Sequence, residues 1–260
     1  MHHDDAQIGR LLSRREALAL LGAGSAALLA GCRADSAGSL TTPPSPASAP
    51  ASGISCLVKP EQTEGPFFGS SNPDRSDLRT DTSSGGVRAG VPLALTIGVS
   101  SVSAGGCRPL EGATVDVWHC DAQGAYSGFR SEGTEGADFL RGVQRTDAAG
   151  RASFVTVYPG WYRGRAVHLH LKVRTGDGSD AYEFTSQLYF PDAVSDDVFT
   201  RAPYARTGGT RVPNDRDGIF RSNGGDQLVL DVTATDDGYA GRFDFGLDLS
   251  DAATGAPDGF

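Results

Sequence analysis

From about residue 53 onward, apolar and polar residues alternate in short runs, and Gly, Asp or Pro ends each run. A period of two marks a strand with one face turned inward. The pattern predicts strands at 92–101 ("PLALTIGVSS"), 113–120 ("ATVDVWHC"), 152–158 ("ASFVTVY"), 165–173 ("RAVHLHLKV"), 183–190 ("EFTSQLYF"), 226–234 ("DQLVLDVTA") and 241–249 ("GRFDFGLDL"). No convincing helical period lies between them. The fold class expected is all-β, an antiparallel β-sandwich whose long loops carry the chemistry. The Asp-, Arg- and Gly-rich stretch 191–225 reads as a long loop with one helical turn at most.

The alternation in 165–173 sorts its side chains. Val167, Leu169, Leu171 and Val173 share one face, and His168, His170 and Lys172 share the other. The chain has 5 histidines, of which His2 and His3 sit at the extreme N-terminus, so only His119, His168 and His170 remain for the body. A pair of imidazoles projecting from one rigid strand is a natural wall for a metal site. The bland alternative is a solvated outer face on which the two rings are incidental.

The first 52 residues have a different composition. Arg14 and Arg15 precede a short apolar run that ends in "LAGC" at Cys32. Paired arginines before such a run resemble a twin-arginine export signal, and "LAGC" resembles a lipoprotein processing site. Residues 1–32 are therefore expected to be an export leader. Lipidation at Cys32 would leave the protein anchored to a membrane surface outside the cytoplasm, and simple secretion is the other outcome. Residues 33–52, with "TTPPSPASAP", read as an extended spacer. The folded domain is assigned to 53–250 and a short tail to 251–260. A net charge of −9 argues against a nucleic-acid partner. Outside the cytoplasm two of Cys56, Cys107 and Cys120 are expected to pair, and spacing does not choose among the three pairings.

Five ordered blocks carry a resemblance: "TEGPFF" (63–68), "DVWHCDAQGAYSG" (116–128), "FLRGVQRTDAAGRASF" (139–154), "PGWYRGRAVHLHLKV" (159–173) and "TSQLYFPD" (185–192). Together they resemble the intradiol ring-cleavage dioxygenases, the family of catechol 1,2-dioxygenase and protocatechuate 3,4-dioxygenase, and most closely its exported single-domain branch. The resemblance implies a non-haem Fe(III) held by Tyr126, Tyr162, His168 and His170. It implies an aromatic diol and O₂ as substrates and a muconate-type diacid as product. Tyr162 would be the ligand that leaves when the diol arrives and takes one of its protons. Arg165 would stabilise negative charge on the activated ring, Gln187 would lie close behind the substrate, and Glu64 would shape the mouth. Trp118, Trp161 and Tyr158 suit a pocket wall or the core equally. The long helical N-terminal segment of the intracellular enzymes has no counterpart here, which leaves the oligomeric state open.

The ligand set is chemically coherent on its own terms. Ferric iron prefers anionic oxygen, and imidazole adds neutral nitrogen. A phenol ionises near pH 10 in water, but a bound trication favours the phenolate. Two phenolates and one hydroxide then balance the charge of Fe(III). Two rival readings stay open at this stage. One is a zinc hydrolase using His119, His168 and His170. The other is an anchored β-sandwich that binds without catalysis.

Overall fold

A computed structural model describes residues 57–69, 72–176, 182–205 and 210–250. The leader, the spacer, the tail, Cys32 and Cys56 lie outside the described residues. The strands are β1 (Pro92–Ser103), β2 (Gly106–Pro109), β3 (Thr114–Trp118), β4 (Arg141–Arg145), β5 (Arg151–Val157), β6 (His168–Thr175), β7 (Tyr182–Tyr189), β8 (Asp231–Ala234) and β9 (Tyr239–Leu247). One sheet runs β2-β1-β9-β8, with β5 also paired to β1, and the second runs β4-β3-β6-β7. The architecture is the expected β-sandwich.

Among the named strands of the described residues, pairing is antiparallel with one exception. β9 runs parallel to β1, from Leu93 opposite Tyr239 to Ser101 opposite Leu247. β9 follows β8 through the short turn 235–238 and pairs antiparallel with it, while its other edge meets β1, far earlier in the chain, so no hairpin forces that second pair to be antiparallel.

The two sheets bury their facing apolar rows against each other. Leu93, Leu95, Ile97 and Val99 of β1 meet Val115, Val117, Leu169, Leu171 and Val173 of β3 and β6 in one continuous core. Each such side chain contributes about 1.5–3 kcal/mol by leaving water.

Several local expectations shift. β2 and β4 escape the alternation rule because they are short and polar. The run 226–234 is split: a 3₁₀ turn spans Gly225–Leu228 and β8 begins only at Asp231. Val229 bridges Tyr189 of the second sheet, so this segment crosses from one sheet to the other. The 191–225 stretch holds two short helices, α1 (Asp192–Val198) and α2 (Gly218–Ser222). The strand predicted at 165 starts at His168, because Arg165 still belongs to a turn in which its N–H donates to the Tyr162 carbonyl at 3.3 Å.

Cys107 is disulfide-bonded, to a partner outside the described residues. Cys120 retains a buried thiol, which points at the Gly160 carbonyl at 3.5 Å. The two pairings that use Cys120 are thereby excluded. Among the described residues, no helix is long and apolar enough to cross a membrane.

Candidate active site

Strand register assembles the first half of the site. Trp118 lies opposite His170 across β3 and β6, while Gln187 lies opposite His170 and Tyr189 opposite His168 across β6 and β7. All five side chains therefore leave the second sheet on the face away from the core. That face is not solvated. His168 and His170 are only 2% and 1% exposed, which overturns the outer-face alternative.

The cover is the segment that contains "TEGPFF". Gln62 N–H donates to the Thr185 carbonyl at 3.0 Å, and Gln187 Nε2 donates to the Thr63 carbonyl at 2.8 Å. Gly65, at φ 73°, passes so close that a Cβ there would sit 3.2 Å from His170 Cε1. On the strand's other side, the Trp118 indole stacks on His170 with centroids 4.9 Å apart.

Two loops bring the tyrosines. The loop after β3 and the loop before β6 touch backbone to backbone: Gly160 N–H donates to the Asp121 carbonyl at 3.1 Å. At Gly124, with φ 89°, a Cβ would stand 2.5 Å from the Trp161 carbonyl oxygen. Only glycine fits there. The contact sets Tyr126 and Tyr162 edge to face, with centroids 5.8 Å apart.

The four rings then close on one another. Tyr126 Oη lies 3.0 Å from His170 Nε2, and Tyr162 Oη lies 3.1 Å from His168 Nε2. The two imidazole centroids are 4.9 Å apart. Tyr126 is fully enclosed and stacks on Phe67 at 4.4 Å, while Tyr162 is half-buried.

Burial dominates the electrostatics. It holds His168 down at about 3, with the Arg165 cation adding to the effect, and takes His170 well below its usual range. Both rings are neutral at pH 7. Burial also raises Tyr162 to about 12 and Tyr126 well above 10, so without a cation both phenols keep their protons. His168 Nδ1 donates to the Ala166 carbonyl at 2.7 Å, which leaves the Nε2 lone pair facing the cluster. Two inward-facing imidazole nitrogens and two phenol oxygens, shut away from water, suit a hard trication that can ionise the phenols.

Arg165 is part of the same assembly. Its Nε donates to Asp217 Oδ2 at 2.8 Å, and its Nη2 reaches Gln187 Oε1 and, at 3.4 Å, the Tyr189 hydroxyl. Its Nη1 lies 3.5 Å from His168 Nε2. Gln187 is thus occupied at both ends of its amide by protein atoms and acts on Arg165. Glu64 pairs with Lys172, which also pairs with Glu183 at 2.6 Å.

His119 does not join the cluster. Its Nδ1 donates to the Cys120 carbonyl at 2.8 Å and its Nε2 accepts from Thr156 Oγ1 at 2.7 Å. With both nitrogens engaged by protein atoms, the three-histidine zinc reading loses a ligand. Nor do three or more His, Cys, Asp or Glu side chains gather into a metal-binding group among the described residues. Tyr158 belongs to the core, with its hydroxyl on Ser195 Oγ at 2.8 Å, and Trp161 packs against the core as well.

The buried His119 also predicts acid lability. Burial, the leading cause, lowers its pKa to about 4. The unfolded chain takes up this proton near pH 6.5 and the folded protein only near pH 4. Stability is therefore full above about 6.5 and is lost as pH falls toward 4. Urea unfolding at pH 7 and pH 4.5 should show a loss of about 2–3 kcal/mol from this residue. His119→Gln should lose less by that amount, and equal losses in both proteins would rule the assignment out.

The family model described as Dioxygenase matches residues 63–248. The chain belongs to the intradiol ring-cleavage dioxygenases. Among solved structures, it is similar to an intradiol ring-cleavage dioxygenase from Tetranychus urticae, with 26% identity and a TM-score of 0.64 over 75% of this chain and 96% of that one. It is also similar to the dioxygenase domain of a dioxygenase–carbohydrate-binding protein fusion from Streptomyces sp. SirexAA-E. There identity is 31% and the TM-score 0.54, over 74% of this chain and 98% of that one. Catechol 1,2-dioxygenase 1 from Acinetobacter lwoffii is 38% identical over 55 residues, 21% of this chain and 18% of that enzyme. In that match the chain spans less than a fifth of the curated relative's length.

Three members of the assembly were not singled out by the sequence, although Arg141 falls inside one of the resembling blocks. Arg141, in "FLRG", is buried and donates to Ser127 Oγ at 2.8 Å, to the Ser127 carbonyl at 2.7 Å and to the Phe67 carbonyl at 3.2 Å. It ties the covering segment to the Tyr126 loop. Gln62 receives the Tyr189 hydroxyl at 2.8 Å. Asp217 sits where only "DGIF" hints at a helix start, an acidic cap ahead of apolar residues.

Proposed function

We propose that this protein cleaves a catechol-type aromatic diol with O₂ between its two hydroxyl-bearing carbons, giving a muconate-type diacid that keeps both oxygen atoms. Tyr126, Tyr162, His168 and His170 would hold a non-haem Fe(III). The observation that carries the reading is the closed set of two phenols and two neutral imidazoles, within a chain of this family. Bound there, ferric iron would supply the Lewis acidity that activates an aromatic diol toward O₂.

The chain's own residues divide the remaining work. Tyr126 is enclosed by Phe67, by Tyr162 at its edge and by His170, so it stays in place. Tyr162 is half-buried on a Gly-flanked turn, so of the two tyrosines it is the one assigned to leave when the diol arrives. As a phenolate, its Oη takes one of the two protons an incoming diol must lose. Arg165 presents Nη1 beside His168, where it opposes the negative charge that develops on the ring. Trp118, Phe67 and Phe68 exclude water from the closed side, which strengthens each of these interactions. Export of the chain by its paired arginines, with an anchor at Cys32, belongs to the same proposal and rests on the sequence motifs alone.

Elemental analysis and the visible spectrum of the purified protein test the reading. It should hold about one iron per chain and be reddish, because phenolate-to-Fe(III) charge transfer absorbs visible light. A colourless protein with stoichiometric zinc would overturn it.

A further inference from the structure

We propose that Asp217 is a positioning residue for this reaction, holding the Arg165 guanidinium so that only its Nη1 edge faces the two tyrosines and two histidines. The proposal rests on the reading of Arg165 as the group that opposes charge on the ring. A guanidinium has five N–H donors in one plane, so its aim is set by which edges are already taken. Here Nε is taken by Asp217 Oδ2 at 2.8 Å, and Nη2 by Gln187 Oε1 and the Tyr189 hydroxyl. What remains is Nη1, 3.5 Å from His168 Nε2.

Asp217 is the anchor of that arrangement for two reasons. It is wholly buried and is the only carboxylate among the described residues paired with Arg165. Its two oxygens also divide their duties. Oδ2 accepts from Arg165 Nε and from Ala166 N–H at 2.7 Å, while Oδ1 accepts from Ile219 N–H at 2.8 Å and Phe220 N–H at 3.0 Å. One carboxylate thus fastens the start of α2 to the turn that precedes the histidine strand. Gln187 and Tyr189 are neutral and grip only Nη2, so without Asp217 the plane can rotate about that edge. Asp217 touches none of the four ring residues by any hydrogen bond described above, so it acts through Arg165.

The same carboxylate caps α2, and the test must separate the two roles. Asp217→Asn retains a good helix cap and an oxygen acceptor but removes the charge. Catechol turnover is measured for wild type, Asp217→Asn, Arg165→Met and the double variant, with thermal unfolding of each as a control. Asp217→Asn should lower kcat about tenfold while KM changes less than about threefold, as expected when a preorganised charge loses its aim. In the Arg165→Met background the same substitution should change kcat by less than about twofold, because its effect runs through a side chain already removed.

A second readout is independent of turnover. With Ga(III) loaded in place of iron, the Arg165 ¹⁵Nε–H resonance should exchange with water at least about tenfold faster in Asp217→Asn than in wild type. The proposal falls if Asp217→Asn lowers kcat equally in both backgrounds, or if the exchange rate is unchanged. An Arg165→Met protein with wild-type kcat would instead remove Arg165 from the proposed function, and this inference with it.

Discussion

A Tyr126→Phe protein is expected to purify with little iron, little colour and no measurable ring cleavage. Tyr126 is the enclosed phenol of the pair, 3.0 Å from His170 Nε2, and the pocket around it holds no carboxylate to replace it among the hydrogen-bonded neighbours described. Removing it takes one of two anions from a trication in a site that burial has already made hostile to unpaired charge. Iron affinity should fall by at least about 100-fold. Tyr162→Phe should behave differently. An incoming diol brings two oxygens of its own, so this variant should still form a coloured complex with catechol when iron is supplied. It lacks the oxygen that accepts the diol's proton, and kcat should fall about 100-fold or more while binding is retained. Metal content and catechol-binding spectra of the two variants decide the matter. Wild-type colour and turnover in both would show that neither tyrosine is a ligand.

Arg141→Met is expected to give the largest loss of stability among single substitutions near the site. The Arg141 guanidinium makes five hydrogen bonds, to Ser127 Oγ, Asn72 Oδ1 and the carbonyls of Phe67, Phe68 and Ser127. Burial is the main reason its pKa drops to about 10, which still leaves it charged at neutral pH. Methionine fills much of the volume but strands the buried Ser127 carbonyl and the partly buried carbonyls of Phe67 and Phe68. The cost should be about 3–5 kcal/mol, or roughly 10 °C in Tm. The damage should also reach the site. Arg141 is the tie between the segment covering His170 and the loop carrying Tyr126, so iron retention should fall with stability. Leu140, just before it, sits at φ 54°, a left-handed conformation uncommon for a residue other than glycine. Thermal unfolding and iron content after dialysis check the expectation. A Tm within about 2 °C of wild type would mean that the covering segment is held by something else.

These residues show where local pattern stops. Alternation alone determined the principal strands, the sandwich and the shared face of His168 and His170. It could do so because a strand's side chains alternate sides whatever else the chain does. The turn chemistry of "DAQGAYSG" and "PGWYRG" marked both tyrosine loops, and Gly124 and Gly160 in them are demanded by backbone contact. What lies on the far side of the histidine strand was not legible. Two imidazoles beside Lys172 look like a solvent face until a segment some hundred residues earlier folds over them, and no periodicity encodes that cover. Asp217, Gln62 and Arg141 were hidden for the same reason. Each acts on the site from a distant part of the chain, through hydrogen bonds that exist only once both sheets and their loops are packed. The parallel insertion of β9 beside β1 is likewise a choice of topology, settled by which edge was left to fill. Local periodicity and turn preferences, which act over a few residues, were enough to mark which side chains could carry the chemistry. The tertiary structure decided which of them are buried, neutral and aimed at one another, because burial and register are properties of the packed whole.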